Sequence, residues 1–162
     1  MIERSTRGAF VLSTIALMTV MVAGLVTACA SPPNPDPGNR HLNALAEDPI
    51  FATLAPGAVP TGPPVRTPAR KRSTFGGSVW DGPGVSVTFT STQPPRAVFT
   101  YYANRATSAG WVPNGNKNIL GYPEVWNKTY PGGVHASLGL TDMDIRAAIP
   151  GRTSTYVLNG SA

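Results

Sequence analysis

GPGVSVTFTSTQPPRAVFTYYANRATSAGW, residues 82–111, contains a strand, a turn and a helix in one run. Val85, Val87 and Phe89 alternate with Ser86, Thr88 and Thr90. A period of two with β-branched residues predicts a half-buried strand. Gly82-Pro83-Gly84 turns into it. Ser91 or Thr92 is the expected N-cap of the helix that follows. Pro94 and Pro95 suit its first turn, where their missing donors would go unpaired anyway. Val98, Tyr102, Ala106 and Ala109 recur at spacings of four and three and form one apolar stripe. Gly110 is placed to close the helix in a left-handed conformation, with Trp111 folding back over the last turn.

Toward the C-terminus, Glu124–Tyr130 and Val134–Thr141 read as two strands joined by the short connection Pro131-Gly132-Gly133. A last strand, Thr153–Leu158, follows a Pro150-Gly151 turn, and residues 112–122 are irregular. The order is strand, helix, strand, strand, strand. The expected class is α+β: a two-layer sandwich with one amphipathic helix packed on a small antiparallel sheet. The strings PGVSVTFTS, PPRAVFTYYANRATSAGW and VWNKTY resemble a small domain of actinobacterial, mycobacterial-type lipoproteins. The resemblance covers about residues 75–160. Its marks are structural, so it implies a fold and no catalytic residues.

Toward the N-terminus, Arg4 and Arg7 precede apolar and small residues from Ala9 to Ala28. A positive start, an apolar middle and a small-residue exit are the layout of a secretory signal peptide. The exit reads Val26-Thr27-Ala28-Cys29, and Cys29 is the only cysteine of the chain. These four residues resemble the lipobox of bacterial lipoproteins: an aliphatic residue, two small residues, then cysteine. The resemblance implies that Val26, Thr27 and Ala28 are recognised by a signal peptidase. Cys29 then carries a diacylglyceryl group and becomes the first mature residue. It also implies a location on the outer, extracytoplasmic face of the cell membrane. With no other cysteine, the domain folds without an internal disulfide.

Ten of the seventeen prolines lie between Pro32 and Pro68. Proline removes donors and extends the residue before it. Residues 29–72 are therefore expected to be a tether and residues 73–162 the folded domain. Within the tether, Leu42, Leu45 and Ala46 share a helical face, which predicts a short helix near 41–48 that ends at Pro49; docking on the domain is its first reading, with a partner-binding peptide or disorder as the alternatives. The basic run Arg66, Arg70, Lys71 and Arg72 reads first as a solvated linker, with contact to anionic lipid headgroups as the alternative.

The 162 residues carry a formal charge of +5, and +4 remains once residues 1–28 are set aside. The cations are not interleaved with aromatics on one face, so nucleic acid is not an expected partner. Neither zinc-ligand spacing, a Walker loop nor a dinucleotide fingerprint occurs, and no metal or cofactor is expected. His135 faces away from the apolar side of its strand. Its pairing with Asp142 or Asp144 in a hydrolase is a remote reading, and two carboxylates are too few for calcium. Trp126, Lys128 and Tyr130 share one face of a strand. Core is the first reading of that face. Were it the open side of the sheet, it would be an aromatic platform for a ligand. Taken together, the residues point to a non-enzymatic, lipid-anchored envelope domain binding an envelope component or protein partner. The alternative is an accessory subunit of an envelope enzyme or transporter.

Overall fold

The computed structural model describes residues 32–75, 77–144 and 152–162. Residues Asn34–Ala162 form a compact unit. In chain order its elements are α1 (Arg40–Ala46), α2 (Pro49–Ala52), β1 (Val59–Pro60), β2 (Val65–Thr67), β3 (Arg70–Thr74), β4 (Gly77–Asp81) and β5 (Gly84–Ser91). They continue with α3 (Pro95–Ser108), β6 (Val112–Pro113), β7 (Val125–Tyr130), β8 (Val134–Asp142) and β9 (Ser154–Ser161). The protein is thus α+β with antiparallel strands, and the described residues hold three helices where the sequence suggested one or two.

Strand β5 forms where the alternation predicts and buries Val85, Val87, Phe89 and Ser91. It pairs with β9 over its whole length, from Gly84↔Ser161 to Ser91↔Ser154. β9 pairs with β8, β8 with β7 and β7 with β6. The other edge of β5 is shared by two short strands, β1 against Thr90 and Phe89, and β2 against Ser86 to Gly84. β3 and β4 form a separate two-stranded sheet. The Pro150-Gly151 turn lies outside the described residues.

Helix α3 buries Val98, Phe99, Tyr102 and Ala106. Its start differs from expectation. Pro94 occupies the N-cap without a side-chain bond, and the Ser91 hydroxyl instead accepts from the Gln93 N–H at 3.1 Å. Its end is as the sequence suggests. Gly110 has φ 81°, its N–H donates to Thr107, and the Trp111 N–H donates to Ala106 at 2.9 Å. That pair of bonds is a Schellman motif, which requires a left-handed residue where Gly110 stands.

The boundary expected at residue 73 lies instead near Asn34. Leu42 and Leu45 of α1, Ile50 and Phe51 of α2, and Ala55 belong to the same buried cluster as the sheet and α3. All members of that cluster lie between Leu42 and Leu158. Gly160 shows how close the approach is. A Cβ there would lie 2.7 Å from Phe51 Cζ and 3.1 Å from Leu45 Cδ1. Arg105 of α3 adds a bond to the Pro49 carbonyl at 2.6 Å. Burying a large apolar side chain stabilises by about 2 kcal/mol. Four such residues in α1 and α2 are therefore comparable with the roughly 5–15 kcal/mol stability of a domain. Three of the prolines sit where they cost little. Pro49 opens a helix, Pro56 begins a turn closed by Ala58 N–H on the Ala55 carbonyl with Gly57 at φ 72°, and Pro60 lies on an edge strand.

Candidate functional site

Asp48 is where the N-terminal segment meets the sheet. It is the N-cap of α2, and its carboxylate accepts from the Ile50 N–H at 3.0 Å. Its side chain is fully buried. Three side chains from distant positions converge on it. Lys128 Nζ lies 2.6 Å and the Tyr130 hydroxyl 2.8 Å from Oδ2, and Trp111 Nε1 donates to Oδ1 at 3.3 Å. Lys128 also donates to the Ala109 carbonyl at 2.7 Å, satisfying an acceptor left open at the end of α3. The ammonium lies 5.1 Å from the Tyr130 ring centroid and 5.6 Å from that of Trp111.

This geometry settles which way Trp126, Lys128 and Tyr130 face. Trp126 is buried, and the cross-strand partners of Trp126 and Lys128 are the buried Leu138 and Ala136. The open aromatic platform does not exist, because the face is covered by the segment that the sequence assigned to a tether. Burial alone would raise the Asp48 pKa. The bonds from Lys128, the Ile50 N–H, Tyr130 and Trp111 outweigh it and hold the carboxyl below its ordinary value. Tyr130 is shifted upward, first by burial and then by donating to the Asp48 carboxylate. With four donors on two oxygens, this carboxylate is a junction and not a base available to a substrate.

His135 and Asp142 do not meet. They lie on opposite faces of β8, His135 exposed and Asp142 buried, near opposite ends of the strand. His135 Nδ1 instead lies 3.0 Å from the Thr129 hydroxyl. Asp142 accepts from the Asp144 N–H, and Asp144 accepts from the Thr155 N–H, both at 2.9 Å. Burial pushes the Asp142 carboxyl upward, and the Asp144 charge adds to this against the pull of the Asp144 N–H. A 230 Å³ cavity reaches Asp142, Glu124 and Asn118 beside Phe99. Among the described residues, no three His, Cys, Asp or Glu side chains are grouped to hold a metal.

A larger hollow of 470 Å³ lies along the first turns of α3. Ala55, Ala97 and Val98 line it with apolar surface, and Gln93, Arg96, Thr100 and Tyr101 add polar groups. Tyr101 sits beside the buried stripe and packs edge-on against Tyr102, with ring centroids 5.2 Å apart. Thr100 is linked to the Tyr122 hydroxyl at 2.8 Å. An apolar surface next to one cationic residue, an amide and two hydroxyl-bearing residues suits a ligand with an apolar body and a polar or anionic end. The sequence hinted at this only through Tyr101, which lies off the helix stripe. The opposing wall, Ala55 and Pro56, was hidden in the proline-rich segment.

Cys29 and the preceding Val26, Thr27 and Ala28 lie outside the described residues. No family model, curated protein or solved structure matches the chain.

Proposed function

We propose that this chain is a lipid-anchored protein of the outer face of the cell membrane, whose unit Asn34–Ala162 binds an envelope component without catalysing its conversion. The hollow beside α3 carries this reading. It joins apolar lining to a cationic residue, Arg96, whereas the buried Asp48 cluster is saturated by its own partners. The anchor rests on the resemblance of Val26-Thr27-Ala28-Cys29 to a lipobox. Only four residues, 30–33, and so five Cα-to-Cα steps, separate Cys29 from Asn34. At about 3.6 Å per extended residue they span about 18 Å at most, so the unit stays next to the membrane. We also read the architecture as a two-layer sandwich. The buried sides of all three helices and of the sheet join one core, and the opposite sides of β5, β8 and β9 carry mostly Ser, Thr, His and Asn.

The test is retention of envelope fractions by immobilised residues 34–162. Ala97→Trp fills the hollow and is expected to abolish retention, while Lys117→Ala, away from it, leaves retention unchanged. Retention of no fraction, or retention indifferent to Ala97→Trp, contradicts the proposal.

A further inference from the structure

The β3–β4 hairpin stands apart from the main sheet as its own two-stranded sheet, with every residue of β3 exposed. Residues 34–162 contain eleven Lys and Arg and seven Asp and Glu. Four of those cations, Arg66, Arg70, Lys71 and Arg72, and one acid, Asp81, fall between residues 66 and 81. This stretch therefore holds +3 of the unit's +4. Asp81 does not neutralise it, since Arg70 and Arg72 share that one carboxylate at 3.4 Å each. Their side chains remain 73% and 61% exposed. At the tip stands Phe75, the most exposed large apolar residue described, and Val65 and Val79 add exposed apolar surface along the same region.

We infer that this hairpin docks the unit onto an anionic lipid surface, with Phe75 entering the headgroup layer and Arg70, Lys71 and Arg72 of β3, together with Arg66 just before it, supplying positive charge above the lipid phosphates. An exposed aromatic beside concentrated positive charge matches the two layers of a bilayer interface, apolar below and anionic above. Reach is consistent with this. Five residues per strand extend about 17 Å at about 3.4 Å each, close to the span available between Cys29 and Asn34. α1, six residues beyond Asn34, packs against β2, and β2 leads into the hairpin after two residues. The orientation toward the bilayer rests on the proposed anchor, whereas the affinity of the hairpin for lipid does not.

The experiment uses residues 34–162, which contain every core residue among those described, and vesicle sedimentation at low salt. Vesicles of phosphatidylglycerol with phosphatidylcholine are compared with vesicles of phosphatidylcholine alone. Binding to the anionic vesicles only, lost on raising the salt, is expected. Phe75→Ser should weaken it about tenfold, the equivalent of burying most of one aromatic side chain. Replacing Arg70, Lys71 and Arg72 together with alanine should weaken it about a hundredfold, at roughly fivefold per cation. Lys117→Ala serves as a control that leaves it unchanged. Equal binding to both vesicle types, indifference to the hairpin variants, or retention on an acidic polysaccharide without vesicle binding overturns the inference. An acyl-free Cys29 with hairpin-dependent vesicle binding removes the anchor and leaves the docking intact. An acylated Cys29 with no vesicle binding by residues 34–162 does the reverse.

Discussion

Replacing Asp48 with alanine removes the residue on which three long-range donors and one helix cap depend. The loss can be sized from its parts. An N-cap side chain contributes about 1 kcal/mol. A hydrogen bond to a charged group contributes about 1.5–3 kcal/mol. Breaking a buried ion pair by removing one partner costs about 3–5 kcal/mol, because the other charge is stranded. These terms overlap and do not add. Lys128 also has an escape: its side chain is 20% exposed and keeps the Ala109 carbonyl. The expected net loss is therefore about 3 kcal/mol. Urea unfolding of residues 34–162, followed by tryptophan fluorescence, measures it. A double-mutant cycle with Lys128→Met isolates the pair and should give a coupling of about 2 kcal/mol. A loss below about 0.5 kcal/mol, outside the range expected for a buried network, would refute the reasoning. It would mean that the N-terminal segment contributes little to the folded unit.

Three further outcomes follow from the same contacts. Because the Asp48 carboxyl is held below its ordinary value, its contribution is fully present above the unfolded value of about 3.9 and is lost as pH falls through the folded value. The stability gap between wild type and Asp48→Asn should accordingly shrink in urea titrations at successively lower pH, and a constant gap contradicts this. Trp111→Ala removes a side chain only 1% exposed and should cost about 3–5 kcal/mol. Gly110→Val, whose Cβ meets no atom within 4 Å but which must keep φ near 81°, should cost about 1–2 kcal/mol. Equal midpoints for the two variants would show that Trp111 is not a core residue. Deleting residues 34–58 should abolish cooperative unfolding, whereas deleting residues 30–33 should leave the midpoint unchanged. A tether reading expects both to be harmless.

Much of the sheet was legible because its signals are local. Val85, Val87 and Phe89 alternate, and Gly110-Trp111 encodes a helix stop within two residues. Leu42 and Leu45 were also legible as a helical face. What was misread was the meaning of the prolines around them. Pro49 looks like a terminator, yet Asp48-Pro49 is equally an N-cap followed by the first helical residue, and that is the role it takes. Composition averaged over residues 29–72 hides this distinction, because a proline at a helix start and one in a linker count the same. The partners of Asp48 were beyond sequence reasoning for a different reason. Lys128 and Tyr130 are 80 and 82 residues away, and nothing in the local pattern of either segment encodes that pairing. The hollow beside α3 was missed for the same cause, since one of its walls comes from Ala55 and Pro56. The hairpin was hidden because its basic strand lacks alternation, as expected where neither face is buried.

The central claim is that Cys29 fixes a membrane-apposed domain, and mass spectrometry of the protein isolated from membranes of the producing cell tests it most directly. The expected species begins at Cys29, lacks residues 1–28 and carries an acyl mass on its N-terminal peptide, and Cys29→Ala removes that mass. A mature protein that retains residues 1–28 and carries no acyl mass would contradict the account.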